Sequence, residues 1–110
     1  MVNNKKVHQL FKKARANMNL LQITYRKKNK RMVRRLIEPY EIKKILAIDD
    51  YGGPRKIEYL FGHDVSPNSR RRHIRKWITS SFINIAIVPE KTFKQRYHQY
   101  ADEISDDEKK

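Results

Sequence analysis

The sequence predicts an α+β protein, mostly β: an N-terminal helix packed on a small, strongly curved barrel of five or six short strands, with a short helix near the C-terminus. Three observations carry this. Apolar residues keep helical spacing from Val7 to Leu21, then switch to alternation from Leu21 onward. Clusters of Gly, Pro, Asp and Asn recur between the alternating runs. One helix followed by many short strands with tight turns suits a barrel better than a layered α/β fold.

Asn3 or Asn4 can cap the helix, expected over 4–18, and Val7, Leu10, Phe11, Ala14, Met18 and Leu21 make its apolar stripe. Lys5, Lys6, Lys12, Lys13 and Arg15 stay on or beside the wet face. Leu21, Ile23 and Tyr25 then alternate with polar neighbours as a half-buried strand, and Arg26–Arg31 is a polar turn. A second strand is expected from Met32 to Ile37, stopped by Pro39, and a third from Tyr40 to Ile48. Asp49-Asp50-Tyr51-Gly52-Gly53-Pro54 is the strongest turn signal. Beyond it Ile57, Tyr59 and Phe61 give the clearest strand, Asp64–Ser69 a loop, and Arg72–Ile78 and Phe82–Val88 two further strands. Phe93, Tyr97, Tyr100 and Ile104 are spaced for a short helix over 90–100 that runs into an acidic tail, 101–110, expected to be disordered. The barrel spans 21–88, and 1–100 reads as one domain.

Charge narrows the function. The 110 residues carry 26 Lys or Arg against 12 Asp or Glu, a formal net charge of +14. Residues 1–37 hold twelve of the cations and no acid, and Arg70–Lys76 forms a second basic run. The last ten residues carry five acids and two Lys, which leaves +17 on residues 1–100. A body so self-repelling fits contact with a polyanion. The chain has no Cys, hence neither disulfide nor thiolate chemistry. No apolar run approaches the roughly 20 residues that span a bilayer, and Met1–Lys6 does not lead into an apolar signal core. A cytoplasmic protein is expected, with no membrane partner.

The order of these residues resembles the WYL domain, a small Sm-like barrel of bacterial regulators, defence proteins and phages. The matching positions are Ile23-Thr24-Tyr25 at a strand end, then Arg35 four residues before Pro39, with Tyr40-Glu41-Ile42 continuing. Glu58-Tyr59-Leu60 stands where the name-giving tripeptide falls, followed by Phe61-Gly62-His63-Asp64. Arg75 to Phe82 aligns without gaps on the closing motif, Asn84–Ile87 continues its strand, and Glu90–Phe93 resembles the usual ending. The likeness covers about three quarters of the chain. Two positions depart: Glu58 replaces the Trp, and Ser80-Ser81 replaces the motif's Asp-Arg pair. The resemblance implies an Sm-like barrel that binds nucleotides or single-stranded nucleic acid, with Tyr25, Arg35, Tyr59 and Arg75 as candidates by position. No helix-turn-helix accompanies it, as expected of a stand-alone module of the kind a phage encodes, working in the host cytoplasm.

Independently of the resemblance, Arg70, Arg71, Arg72 and Arg75 offer forked donors for phosphates, and Trp77 alternates with basic residues as a stacking ring would. Trp77 equally fits a core position. An enzyme is not expected. His8, His63, His73 and His98 are too scattered for a metal motif, no Gly-rich phosphate loop is present, and adjacent His63 and Asp64 point to opposite faces of a strand. No cofactor is expected. The expected function is nucleic-acid binding in transcription or replication regulation, single strands preferred because no groove-reading helix is evident. The alternative is a module that docks on an acidic protein of the transcription or replication machinery. The acidic tail would compete with weak ligands for the basic face. The oligomeric state is left open by the sequence.

Overall fold

Asn3 starts the helix as its position suggests. In the computed structural model, which describes residues 2–48, 51–67 and 74–96, its side chain accepts a hydrogen bond from the Lys6 N–H at 2.8 Å. Helix α1 runs Asn4–Asn17 and stops where Met18 turns left-handed (φ 51°), its N–H bonding back to the carbonyls of Ala14 and Arg15. Val7 and Ala14 are fully buried, Leu10 and Phe11 pack beside them, and Lys5, Lys6, Lys12 and Lys13 face solvent.

Five strands follow: β1 (Asn19–Arg26), β2 (Met32–Ile48), β3 (Pro54–Asp64), β4 (Ile74–Ile78) and β5 (Phe82–Thr92). They form one antiparallel sheet in the order β4-β3-β2-β1-β5, with a 3-10 turn, Thr79–Ser81, between β4 and β5. The fold is thus α+β and mostly β, but the sheet is open. Among the described residues no ladder joins β4 to β5, so the expected closed barrel is not formed. Helix α1 instead packs on β1, β2, β5 and the 3-10 turn, covering one face of the sheet with side chains rather than with backbone pairing.

The core follows the alternation. Leu21, Ile23 and Tyr25 of β1, Ile37 of β2, Leu60 of β3, Trp77 of β4 and Phe82 and Ile85 of β5 form one cluster with Val7 and Ala14 of α1. Burying each such side chain contributes about 1.5–3 kcal/mol. A second cluster, Tyr40, Tyr59, Phe61 and Ile74, lies on the other face and is joined by Phe93.

Two expectations are corrected. Pro39 does not stop a strand: the two strands expected on either side of it are one bent strand, β2. A register shift between Pro39 and Glu41 absorbs the missing N–H, and Arg15 donates to the Pro39 carbonyl at 3.2 Å. The C-terminal helix is absent from the described part of its span. Glu90–Thr92 complete β5, and 93–96 have no regular structure. The backbone groups a helix would use are committed to β1: Asn19 donates to the carbonyls of Pro89 and Lys91, both at 3.2 Å, and the Phe93 N–H bonds to Met18 at 2.9 Å. Residues 97–100 and the tail 101–110 lie outside the described residues.

Gly62 makes the bend of β2 possible. It stands opposite Pro39 in the β2–β3 ladder, and a Cβ there would collide with the backbone carbonyl of Glu38. Gly62→Ala is expected to destabilise the fold by about 1–3 kcal/mol, read as a lower urea midpoint at unchanged slope.

Candidate functional site

Asp64, the last residue of β3, has a side chain with no solvent exposure. Arg75, across β3 from Gly62 on β4, donates from Nη1 to Asp64 Oδ2 at 2.5 Å, and Arg35 Nε on β2 lies 3.6 Å from the same oxygen. The other oxygen, Oδ1, accepts the Ser66 N–H at 2.9 Å, and Ser66 Oγ in turn accepts the Leu36 N–H at 2.7 Å. Arg75 is also stacked over Trp77, its guanidinium carbon 5.3 Å from the ring centroid. One carboxylate therefore holds two guanidiniums and a loop, and the group keeps a surplus positive charge. Arg75 is buried, whereas the Arg35 side chain is 21% exposed, so the surplus faces outward at Arg35.

Arg35 lines an open groove of about 510 Å³ with Gln22, Arg34, Leu36, Ser66, Pro67, the β5 stretch Ala86–Glu90 and Lys91. Its floor is the sheet face away from α1. The ladders place Gln22 beside Leu36 and Ala86, and Thr24 beside Arg34, out of phase with the buried Leu21, Ile23 and Tyr25. Cations at the rim and apolar Leu36, Ala86 and Val88 on the floor make a surface for a phosphate and a planar ring together. Among the described residues Glu90 is its one carboxylate.

A second cationic feature is the β1–β2 turn. The Lys27 N–H bonds to the Arg31 carbonyl at 2.9 Å, the Lys30 N–H to the Lys27 carbonyl at 2.8 Å, and Asn29 accepts the Arg31 N–H at 2.9 Å. Lys30 takes the left-handed conformation (φ 66°) that closes the turn. Arg26, Lys28, Lys30 and Arg31 are exposed there, and Arg34 continues the line toward the groove.

The expected site residues divide accordingly. Arg35 and Arg75 are brought together at Asp64. Tyr25 and Trp77 are fully buried among core side chains, so neither presents a ring face to a base; the alternation that suggested stacking is the inward phase of β1 and β4. Tyr59 is buried in the second cluster with Lys76 Nζ 4.7 Å from its ring centroid. Arg70, Arg71 and Arg72 lie outside the described residues. The sequence reading missed Gln22, Arg34, Ser66 and Lys91. For Arg34 the signal was present, since it alternates out of phase with Val33 and Arg35.

Carboxylates elsewhere serve the interior. Glu58 binds Thr79 Oγ1 at 2.7 Å and His8 Nε2 at 3.1 Å, tying α1 to β3. Glu38, buried beneath a second hollow, accepts from Tyr40 Oη at 2.8 Å and from Arg96 Nη2 at 2.7 Å. These bonds clasp the segment after β5 to β2. Among the described residues no three His, Asp or Glu side chains are grouped to hold a metal ion, and no helix is long and apolar enough to cross a membrane.

Burial, and then the hydrogen bond to Glu38, holds the Tyr40 hydroxyl far above its usual value. Its folded-state value exceeds the unfolded one, so its contribution is complete below about pH 10 and is lost as pH rises beyond that, where only the unfolded chain ionises. Tyr40→Phe is expected to cost about 1–2 kcal/mol at pH 7, and the gap to the unaltered protein narrows above pH 10. Urea titrations at pH 7 and pH 11 check this.

Comparison of the chain with protein-family models, curated proteins and solved structures finds no match.

Proposed function

We propose that this chain is a nucleic-acid-binding module that prefers single-stranded DNA or RNA, a WYL-like domain working in cytoplasmic transcription or replication regulation. The observation that carries this reading is the separation of charge. Three of the carboxylates, Glu38, Glu58 and Asp64, are bound to the buried Tyr40, Thr79 and Arg75, while Arg26, Lys28, Lys30, Arg31 and Arg34 stand exposed on the β1–β2 turn and the strands it joins. Arg35, pre-oriented by Asp64, would meet a phosphate at little entropic cost. The apolar floor between Arg34 and Lys91 accepts a base face, which a strand offers only when unpaired. With Tyr25 and Trp77 withdrawn into the core, binding rests on phosphate contacts and carries little base selectivity. The kinship to WYL domains is supported by the coming together of Arg35, Asp64 and Arg75, which the sequence likeness aligns with three motif positions.

Anisotropy titrations with labelled single-stranded and duplex oligonucleotides at several salt concentrations test this. Single strands are expected to bind more tightly than duplex, with log K falling linearly in log salt. Arg34→Ala combined with Lys91→Ala should weaken single-strand binding about tenfold and make the slope shallower by about 1.4, two phosphate contacts' worth. Equal affinity for duplex and single strands, or unchanged binding by the double variant, would refute the assignment.

A further inference from the structure

The far end of the β2–β3 hairpin takes no part in lining the groove, and only its base, through Ile45 and Ile57, packs on the second cluster. Among the described residues β1 pairs with β2 only through Met32–Ile37, and β4 pairs with β3 only through Tyr59–His63. Lys44–Ile48 and Pro54–Glu58 therefore form a two-stranded ribbon that, among the described residues, no third strand flanks. Helix α1 touches its base, where His8 meets Glu58. Beyond that point Leu46 is 67% exposed, Ile48 77% and Tyr51, in the turn, 97%. Leu46 and Ile48 share one face of β2, and Lys56 and Pro54 stand opposite them. Lys44, Arg55 and Lys56 on the same ribbon are all exposed.

Aliphatic side chains held in water in this way contribute little to the fold and gain from burial against a partner. Charge decides what buries them. A second copy of the ribbon would set its lysines and arginines against those of the first, an unfavourable juxtaposition. Nucleic acid gains little from Leu and Ile, which do not stack as rings do. An acidic segment with apolar anchors satisfies both features at once: its anchors cover Leu46 and Ile48, and its carboxylates meet Lys44 and Lys56 on the same face.

We infer that the β2–β3 ribbon is a second interaction surface, separate from the groove, that docks an acidic peptide segment carrying apolar anchors. The backbone of β2 or β3, flanked by no third strand, offers such a segment a ladder to extend, and the alternate side chains supply selectivity. The surface works whether or not the groove holds nucleic acid.

The test uses the full chain and two labelled peptides, five Glu-Leu repeats and five Glu-Ser repeats, which match in charge and differ in anchors. Anisotropy should show the Glu-Leu peptide binding about tenfold or more tightly than the Glu-Ser peptide. Leu46→Ser with Ile48→Ser, both at exposed positions, should bring the two peptides to parity while leaving oligonucleotide affinity unchanged. Equal binding of the two peptides by the unaltered protein overturns the inference, as does a preference that survives the double substitution. Loss of oligonucleotide affinity in that variant would also overturn it, because the ribbon would then belong to the nucleic-acid surface.

Discussion

The fold turns on one buried carboxylate. Asp64 draws Arg75 of β4 and Arg35 of β2 to the end of β3 and fixes the following loop through the Ser66 N–H. A carboxylate this deep is stable because it is paired with guanidiniums and accepts a hydrogen bond at each oxygen; stripped of either it would cost several kcal/mol. β4, five residues long and, among the described residues, paired on one edge only, is held by this charge as much as by its ladder. Arg75 also roofs the Trp77 ring, so the charge centre and the apolar core share a wall.

The same interaction shapes the surface. Acids are scarce in this chain, and the folded protein places Glu38, Glu58 and Asp64 against interior partners. The lysines and arginines on the outside are left with few counter-charges, so the surface is more cationic than composition alone implies. Arg35 stands at the junction of the two regimes: its guanidinium is anchored inside by Asp64, and its exposed part lines the groove with Arg34 and Lys91. The clasp of Glu38 on Tyr40 and Arg96 plays a parallel structural part, drawing the segment after β5 across the bend of β2.

Much of this is legible in the sequence where the cause is local. Asn3 as a cap, the Val7–Ala14 stripe, the alternation of β1 and β3 and the polar β1–β2 turn all follow from neighbouring residues. What escapes is set by distant partners. Pro39 reads as a strand end because the glycine that accommodates the bulge, Gly62, comes from another strand. Residues 90–92 read as helical because nothing nearby shows that Asn19 will hold the carbonyls of Pro89 and Lys91. For Trp77 and Arg75, alternation shows that both share one face of β4, but only packing decides that the face is inward. The convergence of Arg35 and Arg75 was implied by family likeness and not by spacing, and the Asp that binds them both comes from a third strand.

A double-mutant cycle on Asp64→Leu and Arg75→Met, read by urea denaturation, tests the central claim most directly. Each single substitution should cost about 3–5 kcal/mol, because each strands a buried charge. The pair together should cost at least about 2 kcal/mol less than the sum, since the apolar replacements leave only the partly exposed Arg35 to be solvated. Costs that add to within about 0.5 kcal/mol would mean that the two residues act independently and that Asp64 is not the point on which the fold depends.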